Sequence, residues 1–100
     1  MFYQDEEHKP SGTVLDLADN VGLELDYEAR VMRVLKRVTF HDGFRPPKTH
    51  QGWKLEVEVR SEAEEQACVV DGTLLSDLLN VAGDDVFVAV GYFWRDVATA

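Results

Sequence analysis

Apolar and charged residues alternate most strictly between Trp53 and Arg60. The apolar positions are Trp53, Leu55, Val57 and Val59, and the positions between them hold Lys54, Glu56, Glu58 and Arg60. A period of two is that of a β-strand with one face in the core and the other in solvent. We therefore predict a strand here, paired as an antiparallel hairpin with a second strand around residues 66–70.

Two further segments have the spacing of amphipathic helices. In residues 13–22 the apolar residues fall at positions i, i+1, i+3, i+4 and i+7, and Gly22 follows them. Residues 73–82 carry four leucines with helical spacing, and Gly83 follows. Because glycine commonly ends a helix, we predict a helix in each segment. Their similar sequences, GTVLDLADNVG and GTLLSDLLNVAG, are explained by shared caps and stops rather than by duplication.

Residues 27–40 allow two interpretations. A helix would separate the apolar residues from the arginines and could be capped by Asp26, whereas a strand would mix both types on each face. We favour a helix that becomes extended over residues 38–40, and the strand remains the alternative. The helical faces would carry Val31, Val34, Leu35 and Val38 on one side and Arg30, Arg33 and Arg37 on the other.

The longest apolar run covers the nine residues from Val86 to Trp94. It is far shorter than the ~20 residues that a membrane-spanning helix needs. We predict a strand that is apolar on both faces and follows a turn at Asp84 and Asp85. So small a domain has few helices with which to cover such a strand. One interpretation is that a protein partner, or a second copy in a homo-oligomer formed through the 86–94 strand, buries the surplus. The alternative is a central strand with helices on one face and an aromatic layer on the other.

Together these elements predict a single α+β domain over residues 12–100. Its mainly antiparallel sheet has three or more strands and packs against two or three helices. Residues 1–11 are polar and acidic and are expected to form a flexible N-terminal tail. The whole chain has 100 residues, which is enough for one core and not for two.

The composition fits a folded domain, with 45% apolar and 29% charged residues. Cys68 is the single cysteine, so no intramolecular disulfide can form. The start MFYQDEEHKP is acidic, unlike a secretory signal, which begins basic and continues apolar. We therefore expect a soluble cytoplasmic protein that does not enter a membrane.

The charge is strongly negative overall and unevenly distributed along the chain. The net charge of −9 disfavours direct binding to nucleic acid. Seven of the ten basic residues lie between Arg30 and Lys54 with one acidic residue, so this basic window carries +6 and the rest of the chain carries −15.

The loop HDGFRPPKTHQGW, residues 41–53, lies inside the basic window. Long loops in compact domains are usually functional, and the two adjacent prolines keep this one extended, which lowers the entropy lost on binding. Its aromatic and arginine side chains belong to the types that anchor interfaces. The predicted partner-binding residues are Phe44, Arg45, Pro46, Pro47 and Lys48, together with Arg33 and Arg37.

These features predict a non-enzymatic protein-binding module, such as a small regulator, inhibitor or assembly factor, without a cofactor. One alternative is an acidic inhibitor that imitates a nucleic-acid backbone and occupies the site of a nucleic-acid-binding protein. That surface would include Glu56, Glu58, Glu62, Glu64 and Glu65.

The second alternative is a small enzyme or metal-binding protein with a site near His41 and His50. Further ligands would be Asp42, Cys68 or His8, but zinc sites normally use closely paired ligands, and these two histidines are nine positions apart. The apolar and acidic neighbours of Cys68 disfavour a reactive thiolate. We therefore assign no metal ligand and no catalytic residue, and we interpret VVDGT as a helix start without bound phosphate.

Overall fold

The computed structural model describes residues 6–41, 43 and 48–99. It confirms an α+β domain with a four-stranded antiparallel sheet, a second sheet of two strands and three helices. The elements are β1 (Val14–Ala18), β2 (Val21–Asp26), β3 (Val31–His41), β4 (Thr49–Val59), α1 (Glu62–Ala67), β5 (Val69–Val70), β6 (Thr73–Leu74), α2 (Leu75–Ala82) and α3 (Asp84–Thr99).

The large sheet has the order β1-β2-β3-β4, so each strand pairs with the next one along the chain. Leu23 of β2 lies opposite Val34 of β3, which in turn lies opposite Val57 of β4. The pairing then shifts, because the next residue of β3, Leu35, lies opposite Leu55. Glu56 is therefore the extra residue of a β-bulge.

The helix predicted over residues 13–22 is wrong, because this segment forms β1, a turn and β2. Asn20 has a positive φ of 61°, a conformation that asparagine tolerates in turns. Gly22 does not end a helix but lies buried within β2. An added Cβ there would lie 2.5 Å from Val14 Cγ1 and 2.8 Å from Trp53 Cη2, so the strand needs a residue without a side chain.

The helix favoured for residues 27–40 is also wrong, and the strand alternative is correct. Asp26 caps no helix; its carboxylate accepts a hydrogen bond from the Ala29 N–H at 2.9 Å and closes the turn before β3. Apolar residues such as Val34 face the helices, while Arg33 lies on the opposite face among carboxylates of the neighbouring strands. A strand tolerates arginine there because the sheet itself supplies the opposite charges.

The strand predicted over residues 53–60 is confirmed as part of β4, but its single apolar face is wrong. Because of the bulge at Glu56, Trp53 and Leu55 lie on the face that carries Arg37, while Val57 and Val59 face the core.

The partner predicted for this strand is also wrong, because β4 pairs with β3. In the segment expected to pair with it, residues 66 and 67 end α1 and residues 69 and 70 form β5. Ser61 caps α1 by accepting a hydrogen bond from the Glu64 N–H at 3.1 Å. Residues 61–65, which join the two predicted strands, therefore form the cap and the first turn of a helix.

The VVDGT segment begins a small hairpin rather than a helix. Asp71 and Gly72 have positive φ values of 50° and 80° between β5 and β6, as a type I′ turn requires. Asp-Gly between apolar residues is a strong hairpin signal that the helical interpretation of this segment overlooked. The predicted second helix is confirmed as α2, which begins at Leu75 and ends before Gly83.

The strand predicted over residues 86–94 is wrong, since these residues belong to the 16-residue helix α3. Val90, Phe93 and Trp94 are buried, with the spacing of one helical face. Phe87 lies at the border of this face, on the groove side, and is 55% exposed, whereas Tyr92 lies on the outer side of the helix and is 50% exposed. A continuous apolar run predicts a strand with two apolar faces, but residues 86–94 form a helix that buries one apolar face and exposes further apolar residues.

The core lies between the helices and one face of the large sheet. Leu23, Met32 and Val34 of the sheet pack in one cluster with Leu75 of α2 and Phe93 of α3. Among the described residues, no helix combines the length and the apolar character needed to cross a membrane.

The segment before β1 lies against the opposite face of the large sheet. The His8 N–H donates a hydrogen bond to the Trp53 carbonyl of β4 at 2.8 Å. Three residues further on, the Ser11 N–H donates to the Glu24 carboxylate of β2 at 2.7 Å. Residues 8–11 therefore run from β4 to β2 over the sheet face that carries Glu24.

Candidate functional site

The predicted binding loop is only partly described. Phe44, Arg45, Pro46 and Pro47 lie outside the described residues, and Lys48 is exposed just before β4. β3 and β4 continue beyond β2 as a two-stranded ribbon, because Val21, the first residue of β2, pairs with Lys36 and residues 38–41 pair only with 49–52 in the described sheet. The loop joins the two strands at the end of this ribbon. The role of the loop stays a prediction.

Arg33 donates hydrogen bonds to three carboxylates. Its guanidinium lies 2.8 Å from the Asp26 carboxylate, 2.9 Å from Glu58 and 3.2 Å from Glu24. The hydrogen bond that it donates to Asp26, followed by those to Glu58 and Glu24, raises the pKa of Arg33 above its usual value. We call these four residues the ion cluster. Within the sheet, the positive charge of Arg33 is paired with the carboxylates of this cluster.

Arg37 lies on the same face of β3 but has a different environment. Its guanidinium carbon is 4.2 Å from the centre of the Trp53 ring, a cation–π contact at an exposed side chain. Arg37 remains accessible to a partner, whereas Arg33 belongs to the ion cluster. The two arginines, which were predicted to bind a partner together, therefore have different environments.

His8 and His50 each lie beside a different glutamate, and the candidate ligand Asp42 lies outside the described residues. His8 Nε2 lies 2.8 Å from Glu24, and His50 Nε2 lies 2.8 Å from Glu7. Hydrogen bonding to His50 lowers the pKa of the Glu7 carboxyl. Within residues 6–41, 43 and 48–99, no group of three or more His, Cys, Asp or Glu side chains could hold a metal ion.

A cavity of about 390 Å³ lies between α1, α2 and α3, on the other side of the molecule's core from the ion cluster. We call it the helical groove. Its volume is within the range of ligand-binding pockets. Neither Cys68 nor any histidine is among its described lining residues. Those residues are Glu62, Glu65, Gln66, Ser76, Leu79, Asn80, Phe87, Val90, Gly91 and Trp94.

Glu65 is the buried acid of the groove and is 4% exposed. Burial raises the pKa of its carboxyl, and the negative charge of Glu62 raises it further, while the Trp94 indole N–H lowers it. By hydrogen-bond geometry this N–H has no partner among the described residues, although it is buried. The groove thus holds a buried carboxyl together with a buried donor that lacks a hydrogen bond.

The rim of the groove is apolar on the side of α3. Phe87 and Gly91 are exposed lining residues one turn apart, and Val88 and Tyr92 follow each of them on the outer surface. The Arg95 guanidinium carbon lies 4.4 Å from the centre of the Tyr92 ring. Val88 and Tyr92, four positions apart, lie on one face of α3, and Phe87 lies at the groove itself.

The three helices around the groove carry seven acidic residues and one basic residue, Arg95. Residues 61–100 as a whole have a net charge of −7, against −2 for residues 1–60. The basic window falls on β3, β4 and the loop between them. The fold therefore gives the helical half a strongly negative potential of its own.

The sequence predicted one feature of this groove but placed it on the wrong element. The run from Val86 to Trp94 has more apolar surface than so small a domain was expected to cover, and it belongs to helix α3 and not to the predicted strand. Glu65 carried no such signal, because it is one of three glutamates in α1 and only the packing of α2 and α3 distinguishes it.

Comparison with protein-family models, with curated proteins and with solved structures finds no match for this chain.

Replacing Glu65 with glutamine is expected to raise the melting temperature at pH 7 and to change it little near pH 4. The folded state holds the proton of Glu65 above its ordinary pKa of 4.5, so this residue lowers stability increasingly as the pH rises through and above that value. Thermal unfolding followed by circular dichroism at the two pH values measures the effect. Glu62→Gln, at an exposed position of the same helix, is the control, and a lower melting temperature for Glu65→Gln at pH 7 would contradict the assignment.

Proposed function

We propose that the protein is a non-enzymatic protein-binding module whose helical groove holds a basic, amphipathic helical segment of a partner protein. The observation that carries this proposal is the apolar groove between three helices that together bear seven acidic residues and one basic residue.

The apolar side of the groove supports a helical occupant. Phe87 is 55% exposed and lines the groove, and Val88 and Tyr92 extend the exposed apolar surface of α3 beside it. An exposed apolar surface of this kind, bounded by polar residues, is typical of interaction sites. An amphipathic helix binds such a groove through residues at positions i, i+3, i+4 and i+7.

The charge around the groove supports a basic occupant. Opposite potentials accelerate the encounter of two proteins and disfavour partners of like charge. Glu62 lies at the groove, Asp77 belongs to α2, and Asp84 and Asp85 form the first turn of α3. A segment with lysine or arginine on its polar face would meet these carboxylates while its apolar face covers Phe87.

Gly91 is suited to close contact with a partner helix. It is exposed, it lines the groove, and a Cβ added to it would meet no atom within 4 Å. Another helix can therefore approach the backbone of α3 at this point. Because glycine weakens a helix by about 0.5–1 kcal/mol relative to alanine, its presence in α3 is explained by the space it leaves.

The variant Gly91→Met tests the proposal because it fills the groove without disturbing the fold. The probe is a fluorescently labelled synthetic helix of about 16 residues, with leucine on one face and lysine on the other. We expect Gly91→Met to raise the Kd of this peptide at least about tenfold, or about 1.4 kcal/mol. The melting temperature should stay unchanged or rise, since methionine favours the helix more than glycine does. Fluorescence anisotropy at physiological salt measures the Kd.

Two controls separate groove binding from attraction between opposite charges. Gly12→Met changes another exposed glycine with open space around it and should bind the peptide like the wild type. A peptide of the same composition, reordered so that it has no apolar face, should bind weakly. Equal binding of both peptides, or no effect of Gly91→Met, overturns the proposal. Loss of binding on neutralising Glu62 and Glu64, with no effect of Gly91→Met, favours the acidic mimic instead.

The loop of residues 41–53 is proposed as a second contact surface of the same module. Lys48 and Arg37 are exposed near the end of the β3–β4 ribbon. Their positive charge is the opposite of that around the helical groove, so the two surfaces would select different parts of a partner.

A further inference from the structure

We infer that the helical groove contains a binding site for one cationic side chain, lysine or arginine, whose charged end pairs with Glu65 and whose methylene groups lie against Trp94 and Val90. This inference rests on the proposed function, because the side chain would belong to the docked segment.

The first support is the position of Glu65. α1 has three glutamates, of which Glu62 and Glu64 are exposed and Glu65 is buried at the groove. Among the described residues, no lysine, arginine or histidine lies within ion-pair distance of Glu65. A buried carboxylate normally has a partner of opposite charge, and here the open side of the carboxylate is the groove.

The second support is Trp94, whose indole N–H is buried without a hydrogen-bond partner among the described residues. A cation bound in the groove would favour the ionised form of Glu65, and the ionised carboxylate is a better acceptor for this N–H. Binding one cation would therefore neutralise a buried carboxyl and strengthen the acceptor available to a buried donor.

The remaining lining matches the rest of a lysine or arginine side chain. Phe87 and Trp94 offer aromatic rings, which attract cations to their faces. The side-chain oxygens of Ser76 and Asn80 can accept further N–H groups. Leu79 and Val90 offer apolar surface to the methylene groups.

Other side chains fit this site less well. A neutral apolar side chain would cover Glu65 without supplying a partner, which increases the penalty for burying the carboxyl. An acidic side chain would meet the charges of Glu62 and Glu65 at short range and be repelled. A cationic side chain is the class that both the charge and the unsatisfied groups of the groove favour.

A double-mutant cycle tests the inference with the same model helix. One lysine of the model helix lies at the border between its polar and apolar faces. Peptides with lysine, norleucine or arginine at this position are each measured against wild type, Glu65→Gln and Glu62→Gln. We expect norleucine to weaken binding to wild type and to Glu62→Gln about tenfold, but binding to Glu65→Gln less than twofold. Arginine should bind wild type within a few-fold of lysine.

A small cation provides a readout that does not depend on the helix. The Trp53→Phe variant leaves Trp94 as the only indole, and its N–H signal in a ¹H–¹⁵N spectrum reports the site directly. Addition of n-butylammonium chloride should shift this signal in the parent variant and leave it in place once Glu65→Gln is added. n-Pentanol, a neutral molecule of similar size, is the control and should give a smaller shift.

The two proposals fail in different ways. If norleucine and lysine peptides bind wild type equally while Gly91→Met still abolishes binding, the cationic site is wrong and the helical groove stands. If no peptide binds but n-butylammonium shifts the Trp94 signal in a Glu65-dependent manner, the site stands and helix docking is wrong. If neither probe depends on Glu65 or Gly91, both are overturned.

Discussion

Replacing Arg33 with methionine is expected to lower the free energy of unfolding by about 3–5 kcal/mol. The guanidinium bonds to three carboxylates of the ion cluster, including Glu24, which is 1% exposed. Removing the cation leaves a buried negative charge without its arginine, and methionine fills the space without restoring the hydrogen bonds. Urea denaturation followed by circular dichroism measures the loss.

The pH dependence of this loss identifies its origin. Burial would raise the pKa of Glu24, but hydrogen bonds from the Ser11 N–H, His8 and Arg33 outweigh it and hold the pKa below its ordinary value of 4.5. Glu24 therefore contributes stability that is present above pH 4.5 and is lost as the pH falls through its lowered pKa. The difference between wild type and Arg33→Met should shrink in the same acidic range, where the protonated carboxyl no longer needs a cation.

Arg37→Met is the matched control, since Arg37 lies on the same strand and the same face. Its contact with the Trp53 ring is exposed, so its removal should change the free energy of unfolding by less than about 1 kcal/mol. Equal effects of the two substitutions would show that the ion cluster does not stabilise the fold in the way its geometry indicates.

Replacing Gly22 with alanine is expected to destabilise the protein by about 1–3 kcal/mol. The added methyl group would lie 2.5 Å from Val14 Cγ1 and 2.8 Å from Trp53 Cη2, so β1 or the indole ring must move. Both contacts are with side chains on the face that Glu24 shares, and Gly22 itself is buried. Chemical denaturation measures the change in free energy, and the near-UV circular dichroism of Trp53 reports any displacement of the ring.

Gly91→Ala is the control for a glycine in open space. No atom lies within 4 Å of its added Cβ, and alanine favours the helix, so this variant should gain about 0.5–1 kcal/mol. Opposite signs for the two substitutions are the expected result. Destabilisation by Gly91→Ala would mean that α3 packs differently at this point.

Local pattern was sufficient to predict β4 and α2. In β4 charged residues separate the apolar ones at every second position, and in α2 the leucines have helical spacing and Gly83 follows the last turn. β1 and β2 were missed because Leu15, Leu17 and Val21 fit a helical spacing as well as two short strands joined by a turn. The choice is made by pairing with β3, which lies further along the chain.

The candidate site was harder to predict because it depends on tertiary packing. The loop at residues 41–53 is conspicuous in composition, yet Arg33 nearby is held by carboxylates from β2 and β4 that no local pattern connects to it. The helical groove needs α1 and α3, but the sequence predicted no helix in either, and it predicted a strand over most of α3. Only the apolar surplus of residues 86–94 pointed towards it.

We expect the fold to be more stable at neutral pH without the carboxyl of Glu65, because burial disfavours its ionised form. Sites for ligands commonly retain such groups, because an interaction that is incomplete in the free protein becomes complete in the complex. The expected stabilisation by Glu65→Gln and the expected loss of cation selectivity in the same variant are two results of this one arrangement.

The large sheet places the ion cluster on one face and the core beneath the helical groove on the other. The two sets of residues share no hydrogen bond or ion pair among the described contacts. Substitutions at sites without common partners have nearly additive effects. The residues of the groove can therefore be substituted while Arg33 and Glu24 keep the scaffold intact, so the fold tolerates changes in the chemistry of the groove.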